Sequence, residues 1–263
     1  MGDSHHANSA ATPADADNNH AAAAFIARWQ GTSASELATA QSFVIDLCDL
    51  LGVAKPHPTP DQDYMFERPV TFAHGDGSSS AGRIDCYRRG AFVLEAKKLH
   101  AATHTKGFDD GLLRARSQAE GYARALPAFE GRPPFLIVVD VGNVIELYAE
   151  FSQSGATYTP FPDPRSHRLA LADLARPEVR ARLAAIWHDP HSLNPARISA
   201  QVTRQVADLL ARLAKSVEAG GAGPHPHPLP EGEGAKTAQA LPLPPGGATV
   251  FKVKRFQAWP SCG

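Results

Sequence analysis

The segment Gly82–Lys97, GRIDCYRRGAFVLEAK, constrains the fold more than any other part of this chain. Two short apolar runs flank Arg88-Arg89-Gly90, a hairpin signal. Side chains alternate between faces along a strand. Phe92, Leu94 and Ala96 therefore share one face of the second run, and Val93, Glu95 and Lys97 share the other. A carboxylate and an ammonium thus lie side by side in a strand otherwise built for a core. In the first run Arg83, Asp85 and Tyr87 share a face, with Ile84 and Cys86 opposite. Whether Asp85 meets Glu95 depends on the connection. A two-residue loop sends the carboxylates to opposite faces. A three-residue loop, Arg89-Gly90-Ala91, with Gly90 left-handed, makes them cross-strand partners.

The pattern Asp-x9-Glu-x-Lys offers two hard oxygen ligands about one strand spacing apart, which suits Mg²⁺ held by carboxylates and waters. Such an ion lowers the pKa of a bound water and neutralises charge on a phosphoryl oxygen. Lys97 would orient or help deprotonate that water, or stabilise the phosphorane. The competing structural reading is a surface cross-strand ion pair. Without a metal the two carboxylates repel, so truncating Asp85 is expected to leave stability unchanged or to raise it. Two neighbours favour the chemical reading. The helix that follows carries Gln118 and Tyr122 at i, i+4 on one face. From Arg83 through Arg116 there are eight Lys/Arg (83, 88, 89, 97, 98, 106, 114, 116) and four Asp/Glu (85, 95, 109, 110), a local +4 in a chain of net charge -1. That local charge suits a phosphate backbone. Arg83, Arg88, Arg89, Lys98, Lys106, Arg114 and Arg116 are the expected DNA contacts.

Along the chain, residues 1–24 carry no apolar period and are expected to lack regular structure. Ser35–Leu51 predicts a helix capped by Ser33 or Ser35 and stopped by Gly52. Tyr64–Ala73 alternates as a strand, His74–Gly82 reads as a Gly/Ser loop, and Phe108–Leu126 reads as a helix. Phe135–Val139 has the unbroken apolar character of a central strand, and Val144–Phe151 follows after a Gly142-Asn143 turn. Pro177–Trp187 and Ser199–Val217 predict two more helices, the second strongly amphipathic. Residues 220–263, crowded with Pro and Gly, cannot bury enough apolar surface to offset ordering entropy. The expectation is an α/β chain with a mixed sheet flanked by helices: a disordered tail over 1–24, a catalytic domain over 25–165, the start of a helical connector over 166–219, and a disordered tail over 220–263.

GRIDCYRRGAFVLEAKK resembles the PD-(D/E)XK nuclease motif, and QAEGY matches the Q-x-x-x-Y helix of several of its branches. FIARWQGTSASELATAQSFVIDLCDLLGV, DYMFER, PPFLIVVDVGNVIELYAEF and NPARISAQVTRQVADLLARLAK resemble the N-terminal part of MmeI-like type IIG/IIL restriction-modification enzymes, over about Phe25 to Gly220. The resemblance implies a PD-(D/E)XK restriction-endonuclease-like fold and a Mg²⁺-dependent endonuclease acting on double-stranded DNA. It carries over Asp85, Glu95 and Lys97 as catalytic residues, with Asp85 and Glu95 as the metal ligands. Gln118 and Tyr122 carry over as supporting residues. Glu36 matches a position where some members place an extra acid, set against a plain first-turn glutamate favoured by the helix dipole. Full-length relatives add an adenine-N6 methyltransferase using S-adenosylmethionine and a target-recognition region. No NPPY-like loop and no glycine-rich strand-to-helix turn is present here, so those parts are expected to be missing or supplied in trans, and no S-adenosylmethionine site is expected.

Other candidates are weaker. His100 and His104 sit at i, i+4 without a third ligand, and read as solvated loop residues. Cys48 and Cys86 fall on apolar faces, and three scattered cysteines argue against a disulfide scaffold. No apolar run is long enough for a membrane span and no signal peptide is evident, so a cytoplasmic location is the default. Trp29 and Trp187 are read as packing residues. A non-catalytic remnant of the restriction-modification fusion and a fragment of its methyltransferase stand as the alternatives to a nuclease.

Overall fold

A computed structural model describes residues 13–31, 36–57, 59 and 63–220. The expected tail over 220–263, apart from Gly220, and the Ser33 or Ser35 cap lie outside the described residues. Glu36 opens a helix, but its side chain also lies outside them. The chain is a mixed α/β fold. In order come α1 (Pro13–Trp29), α2 (Glu36–Leu51), β1 (Tyr64–Ala73), β2 (Ser79–Arg88), β3 (Phe92–Lys97), α3 (Lys106–Ala125), β4 (Phe135–Asp140), β5 (Val144–Ala149), β6 (Thr159–Pro160), β7 (Arg168–Ala170), α4 (Pro177–His188) and α5 (Pro195–Gly220).

The seven-stranded sheet runs β1-β2-β3-β4-β5-β6, with β7 also on β5. Every pairing is antiparallel except β3 with β4, which are parallel and joined through α3. A parallel pair needs such a crossover, and the helix in it covers one face of the strands it joins. Both strands are almost wholly buried, as their apolar runs require. Thr105 starts α3 by accepting the Phe108 amide on its hydroxyl.

Two apolar clusters sit on the two faces of the sheet. Under α3 lie Ile84, Tyr87, Val93, Leu136 and Val138, with Phe108, Leu112 and Ala119 from the helix. On the other face Phe92, Leu94 and Ile137 meet Phe43 and Leu47 of α2, Trp29 of α1 and Leu183 and Trp187 of α4. Trp187 packs on Phe92, ring centroids 4.5 Å apart and planes tilted by 49°, and donates its indole N–H to Tyr64 Oη at 2.8 Å. Cys48 Sγ lies 3.3 Å from the same oxygen. Burial pushes the Cys48 and Cys86 thiols up, so both remain protonated packing groups at neutral pH.

The structure departs from the sequence expectation in three places. Helix α1 occupies part of the stretch expected to lack regular structure. Its alanines favour helix, and Ala22, Phe25 and Trp29 form a short buried stripe that only tertiary contact makes worthwhile. Strand β2 begins at Ser79, inside the expected Gly/Ser loop, because Ser79–Gly82 pairs by backbone with Val70–Ala73 whatever the side chains. Finally, no break in the core falls at residue 165: Leu169, Leu183 and Trp187 belong to the same cluster as Phe92 and Phe135. Helix α4 therefore packs in the same core as the sheet.

Gly142 joins the sheet to α1. At φ 89°, a Cβ there would lie 2.6 Å from the Trp29 carbonyl oxygen. Gly142→Ala should destabilise the chain by about 2 kcal/mol or more in urea titration, combining left-handed strain with backbone collision. Gly131→Ala, also left-handed but open around its Cβ, should cost only about 1 kcal/mol. Equal costs would show that the α1 contact is not tight.

Candidate active site

The β2–β3 connection is Arg89-Gly90-Ala91, with Gly90 at φ 69°. The register pairs Arg88 with Phe92, Tyr87 with Val93 and Cys86 with Leu94, and then stops. The next pair in that register is Asp85 opposite Glu95, as the three-residue loop requires. The ladder ends there because β2 leaves β3 while β3 continues beside β4 to the Lys97–Asp140 pair.

Strand parity shows how Asp85 is aimed. Tyr87 and Ile84 both pack under α3 although they stand three positions apart, which regular alternation would place on opposite faces, and Cys86 packs on the opposite face. The regular alternation is therefore reset at Asp85. Its β1 neighbour is reset as well: Phe66 pairs with Cys86 and Arg68 with Ile84, while Glu67 between them takes a left-handed φ of 53°. Thrown off the pleat, Asp85 turns its carboxylate sideways into the gap between the diverging strands. There Oδ2 accepts the Ala96 amide at 2.7 Å. A side chain has taken over the acceptor role that the next β2 carbonyl would have filled.

Glu95 and Lys97 project on the α3 face, as alternation predicts. The Glu95 carboxylate is 1% exposed and lies 2.7 Å from Lys97 Nζ, itself 27% exposed. Gln118 and Tyr122 meet on α3, Gln118 donating to Tyr122 Oη at 2.9 Å. The Tyr122 ring reaches over the start of the kinked hairpin, packs on Phe72 and would stand 2.8 Å from a Cβ at Gly82. Only a glycine lets α3 approach β2 so closely just ahead of Asp85.

Three polar neighbours escaped the sequence reading. Glu67 and Gln41 line a cavity of about 230 Å³ together with Asp85, between the sheet and α2. Asp140 is buried at the end of β4, where it accepts the Leu99 amide at 2.8 Å and the Asn143 side-chain amide at 2.6 Å. It fixes the chain as it leaves β3. Its sequence signal was its place at the carboxyl end of a strand paired in parallel, where α/β sheets gather functional groups. Glu67 carries no such signal, because a left-handed glutamate in a strand cannot be read from residue type.

Four of the seven cationic residues expected to contact DNA are engaged within the protein. Arg116 is spent as an internal brace, donating to Glu120 at 3.0 Å and to the Tyr158 carbonyl at 2.7 Å, over the Tyr148 ring. Arg89 pairs with Asp63 at 3.1 Å, Arg88 lies over the Tyr64 ring, and Lys98 donates to the Val141 carbonyl. Arg83, Lys106 and Arg114 remain exposed. The sequence count of +4 thus overstates the charge available to a ligand.

Among the described residues no three His, Cys, Asp or Glu side chains gather into a ready metal cage. Two carboxylates completed by water and substrate oxygens are the donor set Mg²⁺ favours, and Asp85 and Glu95 fit that chemistry. No described helix is long and apolar enough to cross a membrane.

A family model described as "MmeI, N-terminal domain" matches residues 19–220. No curated protein and no solved structure matches this chain.

The hydrogen bond from Ala96 alters the expected effect of truncation. Asp85→Ala leaves a strand amide without its acceptor and should cost about 1–2 kcal/mol in urea denaturation, rather than nothing. Asp85→Asn keeps an acceptor oxygen and should stay within about 0.5 kcal/mol of the parent. A stabilised Asp85→Ala would mean that carboxylate repulsion dominates at this position.

Proposed function

Because the chain belongs to the MmeI N-terminal domain family, we propose that it is the nuclease region of a restriction-modification enzyme, hydrolysing DNA phosphodiesters with a divalent cation. The observation that carries this reading is the register, which sets Asp85 opposite Glu95 where the β2–β3 ladder ends, with Lys97 Nζ 2.7 Å from the Glu95 carboxylate. The parting opens a gap that a regular sheet would close with hydrogen bonds. The buried Glu95–Lys97 pair gains little stability over an apolar pair of similar size, which favours a chemical reason for its presence.

Asp85 and Glu95 would hold Mg²⁺, which when bound supplies charge neutralisation at the phosphoryl oxygen and a more acidic water. Lys97 holds and orients the attacking water, and its ammonium stabilises charge developing on the phosphoryl oxygens. The Ala96 amide, by binding one Asp85 oxygen, fixes the carboxylate's orientation. Gln118 and Tyr122 would support the site from α3, where Tyr122 packs over Phe72 and Gly82. The exposed Arg83, Lys106 and Arg114 are the residues best placed to contact duplex phosphates. Phosphate contacts position a duplex without reading its sequence. Binding by this chain should therefore be weak and salt-dependent, with Kd on the order of 10⁻⁴–10⁻⁶ M.

The test is nicking of supercoiled plasmid by the purified chain in Mg²⁺. Cleavage should disappear with EDTA and fall by at least about 100-fold in Lys97→Ala and Asp85→Asn. A parallel readout needs no turnover: Mg²⁺ should raise the melting temperature of the parent through linkage, and not that of a Glu95→Gln, Asp85→Asn double variant. Cleavage that survives Asp85→Asn would remove the metal-ligand assignment.

A further inference from the structure

Most large apolar side chains left exposed by the described residues lie on one helix, α5. Ile198, Val202, Val206, Leu209, Leu213 and Val217 are 47–65% exposed. Their spacing is four, four, three, four and four residues, and it reads the same in both directions. Helices in water owe most of their stability to packing of such a face, so the stripe calls for an occupant of matching periodicity.

We propose that α5 is a self-association helix that pairs antiparallel with α5 of a second copy of this chain. A two-fold axis level with the Ala207–Asp208 bond sets Val206 beside the partner's Leu209, Val202 beside the partner's Leu213 and Ile198 level with the partner's Val217. Every large apolar residue of the seam then meets another. Val202, Val206, Leu209 and Leu213 fall on alternating d and a positions of a heptad, the geometry of a two-helix seam.

The charges fit the same arrangement. Arg204, Asp208, Arg212 and Lys215 come level with the partner's Ala211, Ala207, Thr203 and Ala200, so no like charges face each other. A parallel pair would instead set each charge level with its own copy and align the two helix dipoles unfavourably. The stripe follows about 30 Å of helix. Pairing would bury on the order of 1,000 Å² over both copies, the lower bound for a specific interface. The inference does not depend on nuclease activity.

Light scattering on the full-length chain tests it. At tens of micromolar the mass should be that of two chains, falling to one on dilution. Val206→Asp combined with Leu209→Asp should give one-chain mass throughout, while the melting temperature of the folded body stays unchanged. Orientation is read by cross-linking in a Cys262→Ser background. A short bis-maleimide should join Val202→Cys chains to Leu213→Cys chains when the two are mixed, and neither variant to itself. A one-chain mass at every concentration, an open-ended series of larger species, or cross-linking of either variant alone would each overturn the proposal.

Discussion

A buried strand amide must find an acceptor, and at the end of the β2–β3 ladder the acceptor is a side chain. Strand β3 pairs with β4 along its whole length and with β2 over only its first half. Had β2 continued in register, the Ala96 amide would have bonded to a backbone carbonyl and the sheet would have closed. Instead the alternation resets at Asp85 and Glu67, β2 swings away with β1, and the Asp85 carboxylate bridges the gap at 2.7 Å. One carboxylate therefore completes the hydrogen bonding of β3 where β2 leaves it, and also lines the cavity beside α2.

The rest of the architecture holds that opening in place. Helix α3 lies over one face and can approach the kinked hairpin because Gly82 has no side chain. Helices α1, α2 and α4 cover the other face, with Trp187, Tyr64 and Cys48 tied together at its centre. Farther along the α3 face, Glu146 is buried and balanced, accepting from Arg168 at 2.7 Å and from Tyr148 at 2.8 Å. Charge on this face is thus either closed within the protein or collected at the end of β3.

Much of this was legible in the sequence because it rests on periods. The alternation of Phe92–Lys97 predicted which side chains are buried on which face. Whether Asp85 would stand opposite Glu95 hung on the length of one loop, and the three-residue Arg89–Ala91 connection decides that it does. The apolar run Phe135–Val139 predicted a central strand. What could not be read was decided by distant contacts. Helix α1 is held by the buried Ala22, Phe25 and Trp29 and by Asn19, whose partners lie on other elements. The Gly/Ser segment became strand because its backbone found β1. Charges counted along the chain proved to be engaged by groups far from them in sequence, as Arg116 is by Tyr158. The reset at Glu67 and Asp85 breaks the very periodicity on which sequence reasoning depends.

The bond between Arg180 on α4 and Asn19 on α1 spans 161 positions. It shows that the face of the sheet opposite α3 is closed by the first and the fourth helices together. During synthesis α1 leaves the ribosome long before its partner does. The β1–β2–β3 meander can form early from local contacts, but Phe92 lacks its closest ring partner until Trp187 arrives. Such high contact order slows folding, and the half-covered sheet is the species most exposed to aggregation. No shorter N-terminal piece of this body can complete its core, so the gap where β2 leaves β3 is framed on both faces only after α4 has been made.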